Sequence, residues 1–136
     1  MEKKDKVNRK NFSSGAVWEN LVGYSRAVRV GNIIEIAGTA PVKDGKVVGK
    51  GNPYKQTKYV LEVIENVLKQ AGASLKDVIR TRIYVTDISK WEEVGKAHGE
   101  FFKKIKPVTT MVEVKALINP EFLVEMEATA ITGSSA

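Results

Sequence analysis

The sequence contains no cysteine and only one histidine, and this scarcity excludes several kinds of chemistry. Without cysteine, the chain forms no disulfide and offers no thiolate as a nucleophile or metal ligand. A single histidine argues against a histidine-based metal centre and against a Ser–His–Asp triad. No apolar run approaches the ~20 residues that span a bilayer, and the N-terminal stretch MEKKDKVNRK lacks the apolar segment of a secretory signal. We therefore expect a cytoplasmic protein without a membrane partner.

Positive charge is the clearest excess in the composition. The chain of 136 residues has a net charge of +6, and residues 1–10 contribute half of it through five cations and two carboxylates. A charged terminus of this kind is more often a solvated tail than a binding arm. The length suits one domain with its own hydrophobic core. We therefore expect a flexible basic tail over residues 1–10 and a single domain over residues 11–136, and we do not expect nucleic acid to be the main partner.

Hydrophobic periodicity predicts the order β-β-(short β)-α-β-α-β-β. A Gly-Asn pair at residues 31–32 has the composition of a hairpin turn between the first two strands. An Asn-Pro pair at residues 52–53 is typical of a helix start, and Gly72 is typical of its end. Between them the apolar residues recur at helical spacing, which predicts a stripe that faces the core. The stripe consists of Thr57, Val60, Leu61, Ile64, Leu68 and Ala71.

A second helix is predicted after the strand Val78–Thr86. Gly95 and Gly99 lie one turn apart in it, each at a cost of about 1 kcal/mol relative to alanine, so we expect something to pack closely there. His98 is interpreted as a packed histidine rather than a ligand. The predicted core residues of this region and of the N-terminal segment are Phe12, Trp18, Trp91, Val94, His98 and Phe101 or Phe102.

The C-terminal part of the sequence contains two strands, which we predict at Thr109–Leu117 and Phe122–Ile131. They are separated at residues 119–120, where proline removes a ladder donor. Successive side chains of a strand point to opposite faces, so the apolar residues share one face and Glu113, Glu125 and Glu127 are assigned to the other. We predict that this charged face carries any chemistry of the protein.

Both predicted helices connect strands, so we expect them to cover one face of a single mixed sheet. The opposite face would then carry Arg80, Arg82 and Tyr84 beside the carboxylates. Such a face is too apolar at its edges for open water and too charged for the core of one subunit. A symmetric oligomer that buries this face is the simplest arrangement.

Four segments closely resemble the RidA/YjgF reactive-intermediate deaminase family: VGYSRAVRVGNIIEIAGTAPV, TRIYVTDISKWEEVGKAHGEFF, KPVTTMVEV and LVEMEATAI. The resemblance runs from about Leu21 to Ile131. It implies a chorismate-mutase-like α+β fold and a barrel-like homotrimer that binds a small-molecule metabolite in clefts between subunits. Family members of the RidA type hydrolyse enamine or imine products of pyridoxal-phosphate enzymes to ammonia and a 2-keto acid, without a metal or organic cofactor.

The resemblance also implies a set of site residues, and one of them is changed. The catalytic glutamate of the last strand corresponds to Glu125, and the tyrosine of the N-terminal turn corresponds to Tyr24. The arginine that grips the substrate carboxylate in the family is replaced by Thr109, and a threonine hydroxyl cannot make the two-bonded contact of a guanidinium. The other implied binding positions are Ala37, where the family has serine, Gly38, Gly95, where the family has asparagine, and Thr110.

Three functions follow as hypotheses. The first is a RidA-like hydrolase or deaminase of enamine or imine compounds with weak or altered activity, in which Glu125 positions or activates a water. The second is a module that binds or senses a metabolite without catalysis. The structural alternative for Glu125 is an ion pair with Arg80 or Arg82, or simple hydration. The third is endoribonuclease activity, although the sequence offers no pair of histidines for acid–base catalysis and no aromatic stacking platform. The missing cation could be supplied by Arg26, Arg29, Arg80 or Arg82.

Overall fold

The structure is a computed structural model that describes residues 7–135. Its strands are β1 (Arg9–Phe12), β2 (Ala27–Val30), β3 (Ile33–Thr39), β4 (Val42–Lys43), β5 (Lys46–Val47), β6 (Val78–Val85), β7 (Val108–Glu113) and β8 (Val124–Ile131). Its α-helices are α1 (Val17–Val22), α2 (Pro53–Gln70) and α3 (Trp91–Phe102). Six strands form the main sheet in the order β1-β2-β3-β8-β6-β7, and β4 pairs with β5 in a small separate ladder.

The main sheet is mixed, as predicted. Strands β6 and β7 run parallel, whereas all other neighbours in it run antiparallel. Helix α3 provides the crossover that parallel neighbours need. Helix α2 packs against α3, β3 and β8, so the two long helices cover one face. The predicted α+β fold class, one mixed sheet with two helices on one face, is therefore confirmed. None of the described helices is long and apolar enough to cross a bilayer.

Helix α2 forms where its sequence signals place it. The Asn52 side chain accepts a hydrogen bond from the Lys55 N–H at 3.0 Å, and Pro53 occupies the first turn. Gly72 adopts a φ of 83°, which only glycine tolerates readily, directly after the helix. The whole predicted stripe is buried. Burial of an apolar face, more than intrinsic propensity, stabilises such a helix.

Both tryptophans that we assigned to the core are exposed, Trp18 by 52% and Trp91 by 55%. Trp91 is the first residue of α3, and a helical side chain points towards the N-terminus, so there it projects past the packed turns. Helix α1 buries Glu19 instead of its apolar side. The other predictions are confirmed: Val94 and Phe102 are buried, and Phe12 and Phe101 pack against the core.

Two residues of the predicted tail belong to the main sheet. Arg9 and Lys10 belong to β1, where they pair with Val30 and Arg29 of β2. An edge strand is stabilised by its backbone hydrogen bonds, so a charged segment can join the sheet although its composition resembles a tail. The prediction for residues 1–6 lies outside the described residues.

Strand β7 differs from its prediction in length and in face. It ends at Glu113 rather than at Leu117. In its parallel register Met111 lies opposite Ile83 and Glu113 opposite Val85, both of which face the helices. Glu113 is therefore not on the charged face, and it accepts the Ile88 N–H at 3.0 Å. Alternation gives the two faces of a strand but does not say which of them is buried.

The face of the main sheet opposite the helices is called the open face here. By strand register it carries Arg80, Arg82, Tyr84, Glu35, Glu125, Glu127 and Thr129. Glu35, which we had not assigned, takes the place predicted for Glu113 and accepts a hydrogen bond from Thr129. Apolar side chains on this face are 38% to 56% exposed: Val30, Ile33, Val108 and Val112. Charges and exposed apolar groups thus share one surface.

Candidate functional site

An open cavity of about 1170 Å³ lies between the loop before α1, the C-terminal end of β3 and residues 116–118. It is called the Glu125 cavity here. Four of the predicted site residues line it together: Tyr24, Ala37, Gly38 and Glu125. Arg26 and Glu127 line it as well. Lys43, Asp44 and Tyr59 complete the polar lining, so the cavity combines two cations, three carboxylates and two phenols.

The position of the Glu125 carboxylate depends on Gly38. The ladder between β3 and β8 shifts register between Ile36 and Thr39, so Ala37 and Gly38 lie in an irregularity of the strand. Such an irregularity re-aims side chains and commonly lies beside a site. A methyl group at Gly38 would collide with the Glu125 carboxylate. Glycine is needed here because the carboxylate approaches the backbone closely.

Glu125 is a partly buried carboxylate whose proton is held more tightly than usual. Burial raises its pKa, nearby Arg26 lowers it by a smaller amount, and neighbouring Glu127 raises it further. The predicted ion pair forms elsewhere, because Arg82 lies 3.5 Å from Glu127. Tyr84 also donates to Glu127, at 3.1 Å. Glu127 thus contacts both Arg82 and Tyr84, whereas Glu125 is the partly buried carboxyl group of raised pKa.

Arg26 is the residue whose importance the sequence left open. Its Nη2 donates to the Gly38 carbonyl at 2.6 Å, while its buried Nε has no acceptor among the described residues. Burial lowers the pKa of the guanidinium, and Tyr24, Glu19 and Glu125 oppose that effect. An arginine remains cationic at neutral pH despite such a shift. Arg26 therefore places a desolvated positive charge at the cavity.

Glu19 fixes the loop that forms one wall of the cavity, and the sequence analysis missed it. It is 7% exposed and accepts hydrogen bonds from the Ser13 hydroxyl at 2.8 Å and the Ser14 N–H at 3.0 Å. The Ser14 hydroxyl also donates to it and is the main cause that lowers its pKa. Gly23, with a φ of 87°, ends α1 and leads to Tyr24. The only signal in the sequence was a serine pair shortly before a glutamate.

The other three predicted residues lie outside this cavity. Thr109 Oγ1 is 2.8 Å from Thr81 Oγ1, which is 2.9 Å from His98 Nε2. Burial lowers the His98 pKa to about 4, so the imidazole is neutral at physiological pH. Thr110 lies opposite Arg82 at the start of β7. Within the described chain, a methyl group at Gly95 would meet only Trp91, at 3.9 Å, so the close packing expected there is not formed by this part of the chain.

The described residues fit acid–base and anion chemistry. Within residues 7–135, no group of three or more His, Cys, Asp or Glu side chains is arranged to hold a metal ion. A carboxyl group with a raised pKa can donate or accept a proton near neutral pH. A buried guanidinium binds planar anions through parallel hydrogen bonds. The cavity therefore suits a small anionic or polar molecule that exchanges a proton with Glu125.

Comparison with known proteins identifies the family. The sequence profile described as Endoribonuclease L-PSP matches residues 16–132. A crystal structure of a YjgF/YER057c/UK114 family member from Mycobacterium tuberculosis superposes with a TM-score of 0.84 at 53% identity, covering 92% of this chain and 100% of that one. This chain belongs to the YjgF/RidA family. The resemblance read from the sequence and the expected chorismate-mutase-like fold are thereby confirmed.

Two relatives in this family show how its members are named. A RutC family protein of Pyrococcus abyssi is 40% identical over 109 residues, which cover 79% of this chain and 84% of that protein. The 3-aminoacrylate deaminase RutC of Acinetobacter baylyi is 32% identical over 111 residues, which cover 81% of this chain and 87% of that protein. Both matches span most of each chain, so they concern the whole domain rather than one motif.

Proposed function

We propose that this YjgF/RidA-family protein is a homotrimer that hydrolyses small enamine or imine compounds in clefts between its subunits, with weak or altered activity. The observation that carries the proposal is the Glu125 cavity, where a carboxyl group of raised pKa lies beside the Arg26 guanidinium. A relative named as a 3-aminoacrylate deaminase supports the reaction class. The threonine at position 109, in place of a cation, supports altered activity.

The reaction requires one water and one proton relay. Protonated Glu125 donates a proton to the imine nitrogen, and its carboxylate then takes a proton from the water that adds to the imine carbon. Glu125 then passes its proton to the nitrogen of the resulting carbinolamine, the carbon–nitrogen bond breaks to release ammonia, and the Glu125 carboxylate takes the hydroxyl proton as the carbonyl forms. An imine and water thus give a ketone and ammonia, and Glu125 ends as it began. The raised pKa of Glu125 favours the protonated form that donates the first proton.

A homotrimer would also account for two features of the single chain. The open face exposes apolar side chains between charges, and another subunit could cover them. Gly95, Thr109 and Thr110 lie away from Glu125 in one chain, and a neighbouring subunit could bring its own copies to the cavity. Sedimentation equilibrium tests this assembly. We expect three times the mass of the chain, and a stable single subunit would contradict it.

The test of activity is ammonia release from imines generated in the assay. A pyridoxal-phosphate lyase acting on serine or threonine supplies 2-aminoacrylate or the homologous enamine, and 3-aminoacrylate is tested separately. We expect the wild-type protein to accelerate ammonia release above the spontaneous rate, and Glu125→Gln to lose on the order of 100-fold or more. Glu127→Gln is the matched control on the same strand. No acceleration by the wild type, or equal rates for both variants, would contradict the proposal.

Non-catalytic metabolite binding is the second candidate, favoured by the loss of a cation at Thr109. It predicts saturable binding in the Glu125 cavity without ammonia release from any of the imines. RNA cleavage is raised by the description of the family profile as an endoribonuclease. The only histidine has a pKa of about 4 and contacts Thr81, so it is badly placed to act as a general acid or base. A structured RNA that stays intact with the purified protein would exclude that activity.

A further inference from the structure

Arg26 lacks the counterion that a buried cation normally has. Among the described residues its guanidinium forms no ion pair, and the Gly38 carbonyl is its hydrogen-bond acceptor. Its Nε is buried without an acceptor. An unsatisfied buried donor destabilises a fold, and more so when it is charged. The described chain thus leaves the Arg26 guanidinium without a counterion.

The other three arginines considered as replacement cations are already engaged or lie elsewhere. Arg29 donates to the Ala71 carbonyl at 2.6 Å, at the end of α2. Arg82 lies beside Glu127, and Arg80 does not line the Glu125 cavity. Lys43 does line it, but its side chain is exposed. Arg26 is thus the desolvated cation of this cavity among the described residues.

We infer that Arg26 binds the carboxylate of a small 2-imino or 2-oxo acid and so presents the adjacent carbon of that acid to Glu125. The inference rests on the proposed function and adds the residue that selects an anionic substrate. The Arg26 guanidinium, which lies just before β2, would thus supply the positive charge that is absent at Thr109 of β7. A planar carboxylate suits it, because two parallel N–H···O bonds fix the orientation of the ligand.

Anion binding at Arg26 should also change the protonation of Glu125. Arg26 lowers the pKa of Glu125, whereas burial and Glu127 raise it. Tyr84 of β6 is also nearby, because the Glu125 charge helps to raise the pKa of the Tyr84 hydroxyl. The negative charge of a ligand carboxylate offsets the positive charge of Arg26 at Glu125. This favours the protonated form of Glu125. Binding is then accompanied by proton uptake, and the acid needed for the first step is produced by the substrate itself.

The test compares two probes by calorimetry: pyruvate, which is an anion, and pyruvamide, its neutral counterpart. We expect the wild type to bind pyruvate, and Arg26→Gln to weaken it by about 10- to 100-fold while leaving pyruvamide unchanged. Lys43→Gln, which removes an exposed cation from the same cavity, should weaken pyruvate binding by about 2-fold or less. Equal pyruvate binding by the wild type and Arg26→Gln, or an equal loss in Lys43→Gln, would overturn the inference.

Two further measurements keep the result independent of folding and of the reaction. If Arg26→Gln does not fold, Arg26→Lys replaces it, because lysine keeps the positive charge but lacks the planar guanidinium. Arg26→Lys should weaken pyruvate binding several-fold, and an unchanged affinity would overturn the inference. Titrations at pH 6 in buffers of different ionisation enthalpy should report proton uptake by the wild type and none by Glu125→Gln. Absence of uptake by the wild type would place the anion away from Glu125 and overturn the inference.

The binding test and the ammonia test can fail separately. Pyruvate binding through Arg26 without ammonia release from any imine would uphold the anion site and reject the hydrolase. Ammonia release that does not change in Arg26→Gln, together with unchanged pyruvate affinity, would uphold the hydrolase and reject the role of Arg26.

Discussion

The helix-covered side of the sheet and the Glu125 cavity differ in how their polar groups are paired. Under the helices, Gln56 is fully buried and pairs with two backbone groups, the Glu121 carbonyl at 2.9 Å and the Leu123 N–H at 2.7 Å. In the cavity, Arg26 has a buried donor without an acceptor and Glu125 has a raised pKa. Satisfied polar groups stabilise a fold, whereas unsatisfied ones are tolerated mainly where a ligand can complete them.

The largest effect is expected from a substitution on the helix-covered side, where the polar groups are paired. Gln56→Leu would leave two partly buried backbone groups unpaired, which costs roughly 2–6 kcal/mol at about 1–3 kcal/mol for each group. Urea unfolding measures the loss, and Gln70→Leu at the exposed end of α2 is the control. A loss no greater than that of the control would show that these hydrogen bonds do not set the stability of this side.

Gly38→Ala should change the cavity without unfolding the protein. The new methyl group would displace the Glu125 carboxylate, which is the free end of a flexible side chain, so stability should change little. A displacement of about 1 Å can cost on the order of 100-fold in rate, which the ammonia assay measures. Gly99→Ala is the matched control because a methyl group at that position would meet nothing within 4 Å in the described chain. Normal activity of Gly38→Ala would show that the close approach is unimportant.

Acid should weaken the helix-covered side through His98. The folded-state pKa is about 4, below the usual 6.5, so the unfolded chain takes up the proton first. Stability contributed by the neutral imidazole is therefore present above pH 6.5 and is lost as the pH falls towards 4. His98→Gln keeps a polar group near Thr81 but does not titrate, so its unfolding free energy should fall less between pH 7 and pH 5. If the unfolding free energy of the wild type and of His98→Gln falls equally between pH 7 and pH 5, this role of His98 is contradicted.

The ionisation of Glu125 should affect stability in the opposite direction to that of His98. It is the smallest of the expected effects. Its folded-state pKa is raised, so the ionised carboxylate destabilises the fold above that pKa, and the penalty disappears below the ordinary glutamate pKa of 4.5. Glu125→Gln should raise Tm at pH 7 by on the order of 2–5 °C and leave it unchanged at pH 4. A lower Tm at pH 7 would mean that the carboxylate is a structural group.

Local signals were sufficient for α2 and β8, whereas β1 and α1 were not predicted. The Asn-Pro start of α2, its apolar stripe and the alternation in β8 each depend on neighbours in the sequence, and each is confirmed. The face of β7 was wrong because its register is set by pairing with β6, far away along the chain. The exposure of Trp18 was missed because hydrogen bonds of Glu19 orient α1.

The candidate site was predictable only in part. Tyr24, Ala37, Gly38 and Glu125 came from the family resemblance, and they do share a cavity. The register shift that lets Glu125 approach Gly38 is a property of the pairing between β3 and β8, which no local pattern encodes. Arg26 was one of four possible cations until its burial and its missing acceptor distinguished it. Long-range contacts, rather than residue types, decided these points.

A crystal structure of the protein with pyruvate bound tests the central claim most directly. The account predicts the pyruvate carboxylate within hydrogen-bond distance of the Arg26 guanidinium, with the carbonyl carbon next to the Glu125 carboxyl group. Pyruvate held at Thr109 without contact to Arg26, or a Glu125 cavity that stays free of pyruvate at saturating concentration, would contradict it.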